Sequence, residues 1–347
     1  MRVERIAPGR RAPTKLVGAV LTRDLKIGGE RWQKGRRLSA DDLRALAAEE
    51  SGPAVSVLVA ESGELHEDEA ALRLAKAIAG PGLDVRGPNQ SRLDLMASAP
   101  GVVTVRVAEL ERINRLDPLE IFTVYDGQIV EKGDLVASVK VAPHLVDTMV
   151  VEAGARIAAF GSQPIVSVEP FLAKRVAVVV KESVRATAKH RFETSVRAKV
   201  EGLGSTIADI VYVEDDADAV ETAVGRFTRG VDVADLILTA GSASTDPSDA
   251  FFMAIEALGG RVVRRGVPSH PGSMLWLARV GGTSILGLPT CGAYSKATAV
   301  DLLLPRLLAG EPPTEATVAK LGHGGILTRS QRFRFPRYAR DLDDPDG

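Results

Sequence analysis

Two hydrophobic rhythms divide this chain near residue 173. From Lys174 onward, short unbroken apolar runs alternate with amphipathic stretches of about a dozen residues. The run Val176-Ala177-Val178-Val179-Val180 within Arg175–Lys181 predicts a strand buried on both faces. A helix is expected from Arg191 to Glu201, broken at Gly202-Leu203-Gly204, then a strand over Ile207–Val213. A helix from Asp215-Asp216 to Thr228, a strand Asp235–Thr239 and a helix Pro247–Leu258 follow. Arg261–Gly266, a hairpin of Leu275–Val280 with Ser284–Leu288 around Gly281-Gly282, and a helix to Leu308 complete the series. Strands alternating with helices imply right-handed βαβ units and a parallel sheet with helices on both sides.

Residues 1–172 show a mixed pattern. Strands are expected at Val17–Thr22, Ala54–Ala60 and Val102–Val107, and a hairpin over Phe122–Val141 turning at Asp126-Gly127. Helices are expected after a Ser39 cap with Leu43, Leu46 and Ala47 inward, over Glu67–Ala79, from Val107 through Ile113, and near His144–Ala158. Residues 313–347 form an Arg- and Pro-rich tail, in which Gln331-Arg332-Phe333-Arg334-Phe335 alternates at strand period. The expected organisation is α/β: a mixed α+β region over 1–172, a three-layer parallel-sheet domain over 173–312, and the tail.

Composition narrows the function classes. The chain has 347 residues, 45% apolar and 26% charged, with 44 basic against 45 acidic residues for a net charge of −1. That length suits two domains, and the balanced charge argues against a nucleic-acid partner. Cys291 is the one cysteine, which excludes an intramolecular disulfide and fits a reducing compartment. No apolar run reaches the roughly 18 residues of a membrane helix, and the N-terminus lacks a signal-like apolar core. A cytoplasmic protein acting on a small molecule is the expectation.

In an open parallel sheet the ligand sits off the C-terminal strand ends, which singles out three small-residue loops. The first runs Thr239-Ala240-Gly241-Ser242-Ala243-Ser244-Thr245-Asp246-Pro247-Ser248-Asp249. Its amides and hydroxyls suit an anion such as phosphate, although Asp246 as cap, Pro247 and Asp249 would also make an ordinary helix start. The second is Pro268-Ser269-His270-Pro271-Gly272-Ser273, where a lone His270 has no partner at metal-ligand spacing. The third, Leu288-Pro289-Thr290-Cys291-Gly292-Ala293-Tyr294-Ser295-Lys296, offers a cysteine near a helix start and a cation. No phosphate-binding G-x-x-x-x-G-K-[ST] loop and no dinucleotide G-x-G-x-x-G turn is present.

The order of these loops resembles the molybdenum-cofactor biosynthesis domain, above all in molybdopterin molybdotransferases and a bacterial group of molybdopterin-binding proteins. Their first loop, approximately Thr-Ser-Gly-Gly-Val-Ser-x-Gly-x-x-Asp, matches Thr239 through Asp249. Pro271-Gly272-Ser273 matches their Pro-Gly-Lys loop, and Gly287-Leu288-Pro289-Thr290-Cys291-Gly292 their Gly-Leu-Pro-Gly-Asn-Pro loop. Val17–Ala48, with Gly28-Gly29 and Gly35, is similar to the start of the molybdotransferases.

The resemblance implies molybdopterin or adenylyl-molybdopterin as ligand, held by Thr239, Gly241, Ser242, Ala243, Ser244, Asp246, Ser248, Pro271, Gly272, Ser273, Pro289, Thr290, Cys291, Gly292 and Lys296. It also implies Asp249 as the acid for adenylyl-molybdopterin hydrolysis and molybdate insertion, with Mg²⁺ at that carboxylate. A homo-oligomer and a molybdoenzyme or nucleotidyltransferase partner belong to the same picture. Ser273 stands where the molybdotransferases carry lysine, Ser242 replaces a glycine, the Asn-Pro pair is missing, and the tail is too short for their C-terminal barrel. Losing the lysine removes a charge-assisted contact to phosphate, for which Arg264, Arg265 and Lys296 are candidate substitutes. Three functions therefore stand: an insertase, a non-catalytic carrier or accessory factor, and a phosphohydrolase acting on another nucleotide.

Overall fold

The computed structural model describes residues 1–50, 52–89, 91–181, 186–242, 244–294, 297–312 and 314–340, without the side chains of 186–188, 290 and 291. They fall into two units. Unit 1 takes Met1–Ala99, Val103–Asp126 and Lys132–Val168; unit 2 takes the rest, from Glu169 onward plus Pro100–Val102 and Gly127–Glu131.

In unit 1 the strand Val55–Val59 pairs antiparallel with Arg2–Ile6 and Val20–Leu21. Ile6, Leu21, Leu43, Leu46 and Val57 close a core behind them with Trp32 and Leu38. The helix Ala40–Ala48 begins at the Ser39 cap, and Asp42 returns the bond to the Ser39 amide. A four-stranded antiparallel sheet runs in the order Leu119–Thr123, Leu135–Val141, Arg92–Ala97, Leu83–Asn89. The expected hairpin thus pairs as strands, Leu119 opposite Val141 and Thr123 opposite Ala137. Its connection is no tight turn, because Ile129–Val130 leaves to pair with Val102 and Gly101 in unit 2. The last expected helix of this region starts at Thr148, capped by Asp147, rather than near His144, since Leu145–Asp147 pairs with Glu64–His66.

Unit 2 is an α/β domain around one six-stranded sheet. In chain order we label β1 (Arg175–Lys181), α1 (Ala186–Glu201), β2 (Thr206–Val213), α2 (Ala217–Thr228) and β3 (Leu236–Ala240). There follow α3 (Ala250–Ala257), β4 (Arg261–Arg265), β5 (Trp276–Val280), β6 (Thr283–Gly287), α4 (Thr290–Tyr294) and α5 (Ala299–Leu308). The sheet order is β2-β1-β3-β6-β5-β4. The first four strands are parallel; β5 and β4 run antiparallel.

The unbroken apolar run of β1 serves both faces of this sheet. Val176, Val178 and Val180 pack with Phe192, Val196 and Val200 of α1 and Leu303, Leu304 and Leu307 of α5. Ala177 and Val179 pack with Val220, Val224 and Phe227 of α2 and Phe251 and Ile255 of α3. Period-two alternation in a run without polar positions is what a sheet buried on both faces requires.

Residues 314–340 fold onto this unit. Phe335 and Ala339 are buried against Leu302 and Leu321, and the Arg340 guanidinium donates to the Ile129 carbonyl at 2.7 Å. The alternating segment expected as an edge strand is a short 3-10 helix over Arg329–Arg334, entered through a Thr328–Gln331 capping box. A buried ion pair anchors the arrangement. Lys199 of α1 donates to Asp301 of α5, which also accepts from the Tyr338 hydroxyl at 3.0 Å and the Thr298 amide at 2.9 Å.

Candidate functional site

The strand register brings all three small-residue loops to one end of the unit 2 sheet. β3 and β6 run parallel with Thr239 opposite Gly287, so their following loops leave side by side. β5 runs against β6 with Trp276 opposite Gly287, and Arg265 lies opposite Trp276. The loop joining β4 to β5 therefore emerges at that same end.

Named contacts join the loops. Trp276, fully buried, donates its indole N–H to Ser242 Oγ at 2.8 Å, and its ring lies so close to Gly287 that a Cβ there would overlap it. The Leu288 amide donates to the Thr239 carbonyl and the Ala299 amide to the Pro271 carbonyl, each at 2.8 Å. Gly241 sits at φ +90°, a region that costs glycine little. Gly272, at φ +107°, lies against Ala299 at a distance where a Cβ would crowd it. Gly292 is packed on Val300 and Pro289. The Pro289 carbonyl accepts the Ala293 amide at the start of α4, and the Ser273 carbonyl accepts the Val267 amide.

Asp249 is where structure and sequence differ most. The helix cap expected at Asp246 is instead Asp249, and α3 begins at Ala250. Asp246 accepts from the amide and hydroxyl of its neighbour Ser248 at 2.9 and 2.7 Å. These bonds hold its carboxyl below the usual range. They close a local turn that uses up the Asp246 side chain.

Both oxygens of Asp249 are committed. Oδ1 accepts the Phe251 amide at 2.9 Å and Oδ2 accepts Lys181 Nζ at 2.7 Å. Lys181, 4% exposed, also reaches Asp215 at 2.8 Å. Burial works against its charged form, but the hydrogen bonds and charges of Asp215 and Asp249 outweigh that and raise its pKa.

Lys181 went unremarked in the sequence, though its position carried a signal. It ends an apolar buried strand at the C-terminal sheet edge, where a charge is out of place unless paired or functional. Among the other cations considered, Arg265 stacks over Phe252 at 4.3 Å and Arg264 donates to the Gly266 carbonyl. His270 is exposed. Ala243 and Lys296 lie outside the described residues, as do the side chains of Thr290 and Cys291.

Two buried hydroxyls at this end have no hydrogen-bond partner among the described residues: Thr239 Oγ1, where β3 enters the first loop, and Ser269 Oγ in the second. Ser244 is half-buried and Ser248 exposed. A cavity of about 440 Å³ opens elsewhere in unit 2, among Lys174, Asp235, Leu236 and Thr283 at the N-terminal strand ends. None of the described loop residues lines it. Burial lowers the Lys174 pKa there, and its ammonium is spent on the Leu307 carbonyl at 2.7 Å.

Among the described residues no group of three or more His, Cys, Asp and Glu side chains is placed to hold a metal ion. The seat at Asp249 is filled by an ammonium, so the donor set found there does not fit Mg²⁺. No described helix is long and apolar enough to cross a membrane.

A three-layer α/β domain with glycine- and hydroxyl-rich loops gathered at the C-terminal sheet edge defines a class of anion- and cofactor-binding domains. Residues 176–309 match the model of a family described as a probable molybdopterin binding domain. Among solved structures, the chain is similar to a molybdopterin biosynthesis MoeA protein from Pyrococcus horikosii. The identity is 13%, over 71% of this chain and 80% of that one, with a TM-score of 0.31. It is also similar to the molybdopterin biosynthesis enzyme MoaB from Thermus thermophilus, at 20% identity over 40% of this chain and 98% of that one, with a TM-score of 0.30. No curated protein matches the chain.

Proposed function

We propose that unit 2 binds molybdopterin or its adenylylated form, with the phosphate end against the loop that follows β3. The observation that carries this reading is the pair of partnerless buried hydroxyls, Thr239 Oγ1 and Ser269 Oγ, in two of the three gathered loops. An unsatisfied buried hydroxyl costs about 1–3 kcal/mol, a penalty that ligand oxygens at the strand ends would relieve. The match of residues 176–309 to the model of a probable molybdopterin binding domain supports the pterin. Lys181 does not make up for the charge that Ser273 lacks, because its ammonium is shared between Asp215 and Asp249.

Binding without turnover is the form of this function that the geometry favours. Asp249, the acid of the insertase reading, has one oxygen on a helix amide and the other on Lys181. To polarise water or hold a cation it would first have to leave Lys181. The insertase reading, with molybdate as substrate, stands second and rests on the position of Asp249 in the loop. Self-association, and delivery to a molybdoenzyme or exchange with a nucleotidyltransferase, belong to the carrier reading.

The test is to isolate the full chain from cells that make the cofactor and measure oxidised-pterin fluorescence. Adenylyl-molybdopterin hydrolysis with molybdate is then assayed for the wild type and Asp249→Asn. Bound pterin without hydrolysis is the expected result. Hydrolysis that disappears in Asp249→Asn with binding retained would establish the insertase instead. No bound pterin and no measurable affinity for it would overturn the proposal and leave the phosphohydrolase.

A further inference from the structure

Unit 1 holds a cluster of chemistry that the pterin reading does not use. Glu67, 6% exposed, opens the helix Glu67–Ile78, where a carboxylate is favoured by the helix dipole. Its Oε1 lies 2.8 Å from His144 Nδ1, and its amide donates to the His144 carbonyl at 3.0 Å. Two bonds thus clip residues 77 apart in sequence. Gly35, at φ +82°, lies over the pair so closely that any Cβ would run into Glu67 Oε1. The carboxylate fixes the tautomer: Nδ1–H donates to Glu67, leaving Nε2 free for a further partner.

Two adjoining cavities, of about 310 and 350 Å³, share Arg31, Gln33, Lys34, Glu67 and Ser91, and His144 lines the first. Volumes of this order suit a small molecule. Of the charges around the first cavity, Arg31 is bound to Asp24 at 2.6 Å and Glu67 to His144. Lys34 and Lys140 remain, and no described side chain within 4 Å pairs with either ammonium. Glu120 lies opposite Lys140 in the sheet register without forming such a pair. Ser91, at the edge of both cavities, is buried and held at φ +65°. That conformation is uncommon for a residue other than glycine and concentrates at functional positions.

We propose that unit 1 carries a second binding site, for a phosphate-bearing small molecule, in the paired cavities beside the Glu67–His144 hydrogen bond, with Lys34 and Lys140 as its anion contacts. Two ammonium groups meet the charge of a phosphate, and the compact Lys head is suited to it as a point charge. His144 Nε2 accepts from a protonated phosphate oxygen or, as imidazolium, donates to an anionic one. Glu67 is a positioning residue that holds the His144 ring at the cavity wall.

The experiment titrates the full chain with inorganic pyrophosphate and follows the histidine ring signals by NMR; the His144 signal is picked out from those of the five histidines by its loss in His144→Gln. The expected result is a saturable shift of the His144 signal at millimolar pyrophosphate or below. In Lys34→Gln/Lys140→Gln, whose exposed or half-exposed substitutions leave the melting temperature unchanged, affinity falls about ten- to hundredfold. Glu67→Gln should weaken binding less and alter the His144 signal in the free protein. A His144 signal that stays still, or an affinity indifferent to loss of both lysines, overturns the proposal. A change in Trp276 fluorescence on adding pyrophosphate, read in a Trp32→Phe background, with a still His144 assigns the anion to unit 2, so the two sites fail separately.

Discussion

Replacing Asp249 by alanine removes two bonds at once, and their sizes differ. The Phe251 amide loses its cap, worth about 1 kcal/mol for an N-cap aspartate. The Lys181 ammonium, 4% exposed, loses the shorter of its two carboxylate contacts. Stranding a buried charge costs about 3–5 kcal/mol, but Asp215 remains at 2.8 Å and is itself 73% exposed. That residual partner halves the penalty at least, so the total expected is about 2–4 kcal/mol. Asp249→Asn keeps the cap acceptor and should cost about 1–2 kcal/mol, since only the charge is lost. Lys181→Met removes the stranded cation, so Lys181→Met/Asp249→Ala should cost less than the sum of its singles by about 1–2 kcal/mol. Urea denaturation of the four proteins measures this directly. A change below about 0.5 kcal/mol in Asp249→Ala, the range of an ordinary surface substitution, or strict additivity in the double variant, would refute the pairing. The stability loss also matters for function: an inactive Asp249→Ala would show nothing about catalysis unless Asp249→Asn were inactive too.

Gly287→Ala should destabilise by about 1–3 kcal/mol through overpacking, because the new methyl meets the buried Trp276 ring; full stability in a thermal melt would contradict that contact. Trp276→Phe removes the indole donor to Ser242 and should cost at least about 1 kcal/mol. It should also speed hydrogen exchange in residues 241–249 relative to the sheet, and an unchanged exchange rate there would mean the loop is held otherwise. The third expectation concerns alkaline pH. Lys181 and Tyr338 both have native pKa values above their usual 10.5 and 10.0, Tyr338 through burial and the Asp301 charge. Groups held protonated in the folded state contribute stability that is complete below those usual values and lost as pH rises through the native ones. Stability should therefore fall from about pH 10 upward. Phenolate absorbance should show Tyr338 and Tyr212, whose pKa is also raised by burial and Glu193, silent until the chain unfolds. Ionisation of all four tyrosines in folded protein would refute it.

Much of unit 2 was legible because its signals are local. The apolar run of β1, the switch to amphipathic helices and the Gly281-Gly282 hairpin follow from backbone geometry and burial, which act over a few residues. The gathering of the three loops followed from a general property of parallel sheets rather than from any one residue. Local signals also misled where two were plausible. Asp246-Pro247 looked like a helix start, but Asp246 closes a turn on Ser248 and the cap passes to Asp249. Gln331–Phe335 alternated like a strand, yet Arg329–Arg334 forms a 3-10 helix entered through the Thr328–Gln331 capping box, and only Phe335, just past its end, is buried against Leu302 and Leu321. The helix expected to run on to Leu308 is broken before a Thr298–Asp301 capping box that was present in the sequence.

By itself, then, the sequence determined the α/β architecture of unit 2, the loops at its C-terminal sheet edge and their likeness to a molybdopterin-binding domain. Tertiary structure alone decided what those residues do to one another. Lys181 and Asp249 are 68 residues apart, Lys199 and Asp301 are 102 apart, and Glu67 and His144 are 77 apart. Hydrophobic periodicity is written along the chain, because each residue is buried or exposed largely by its place in a helix or strand. The partner of a buried charge is set by which strand ends meet in space, and no local pattern encodes that.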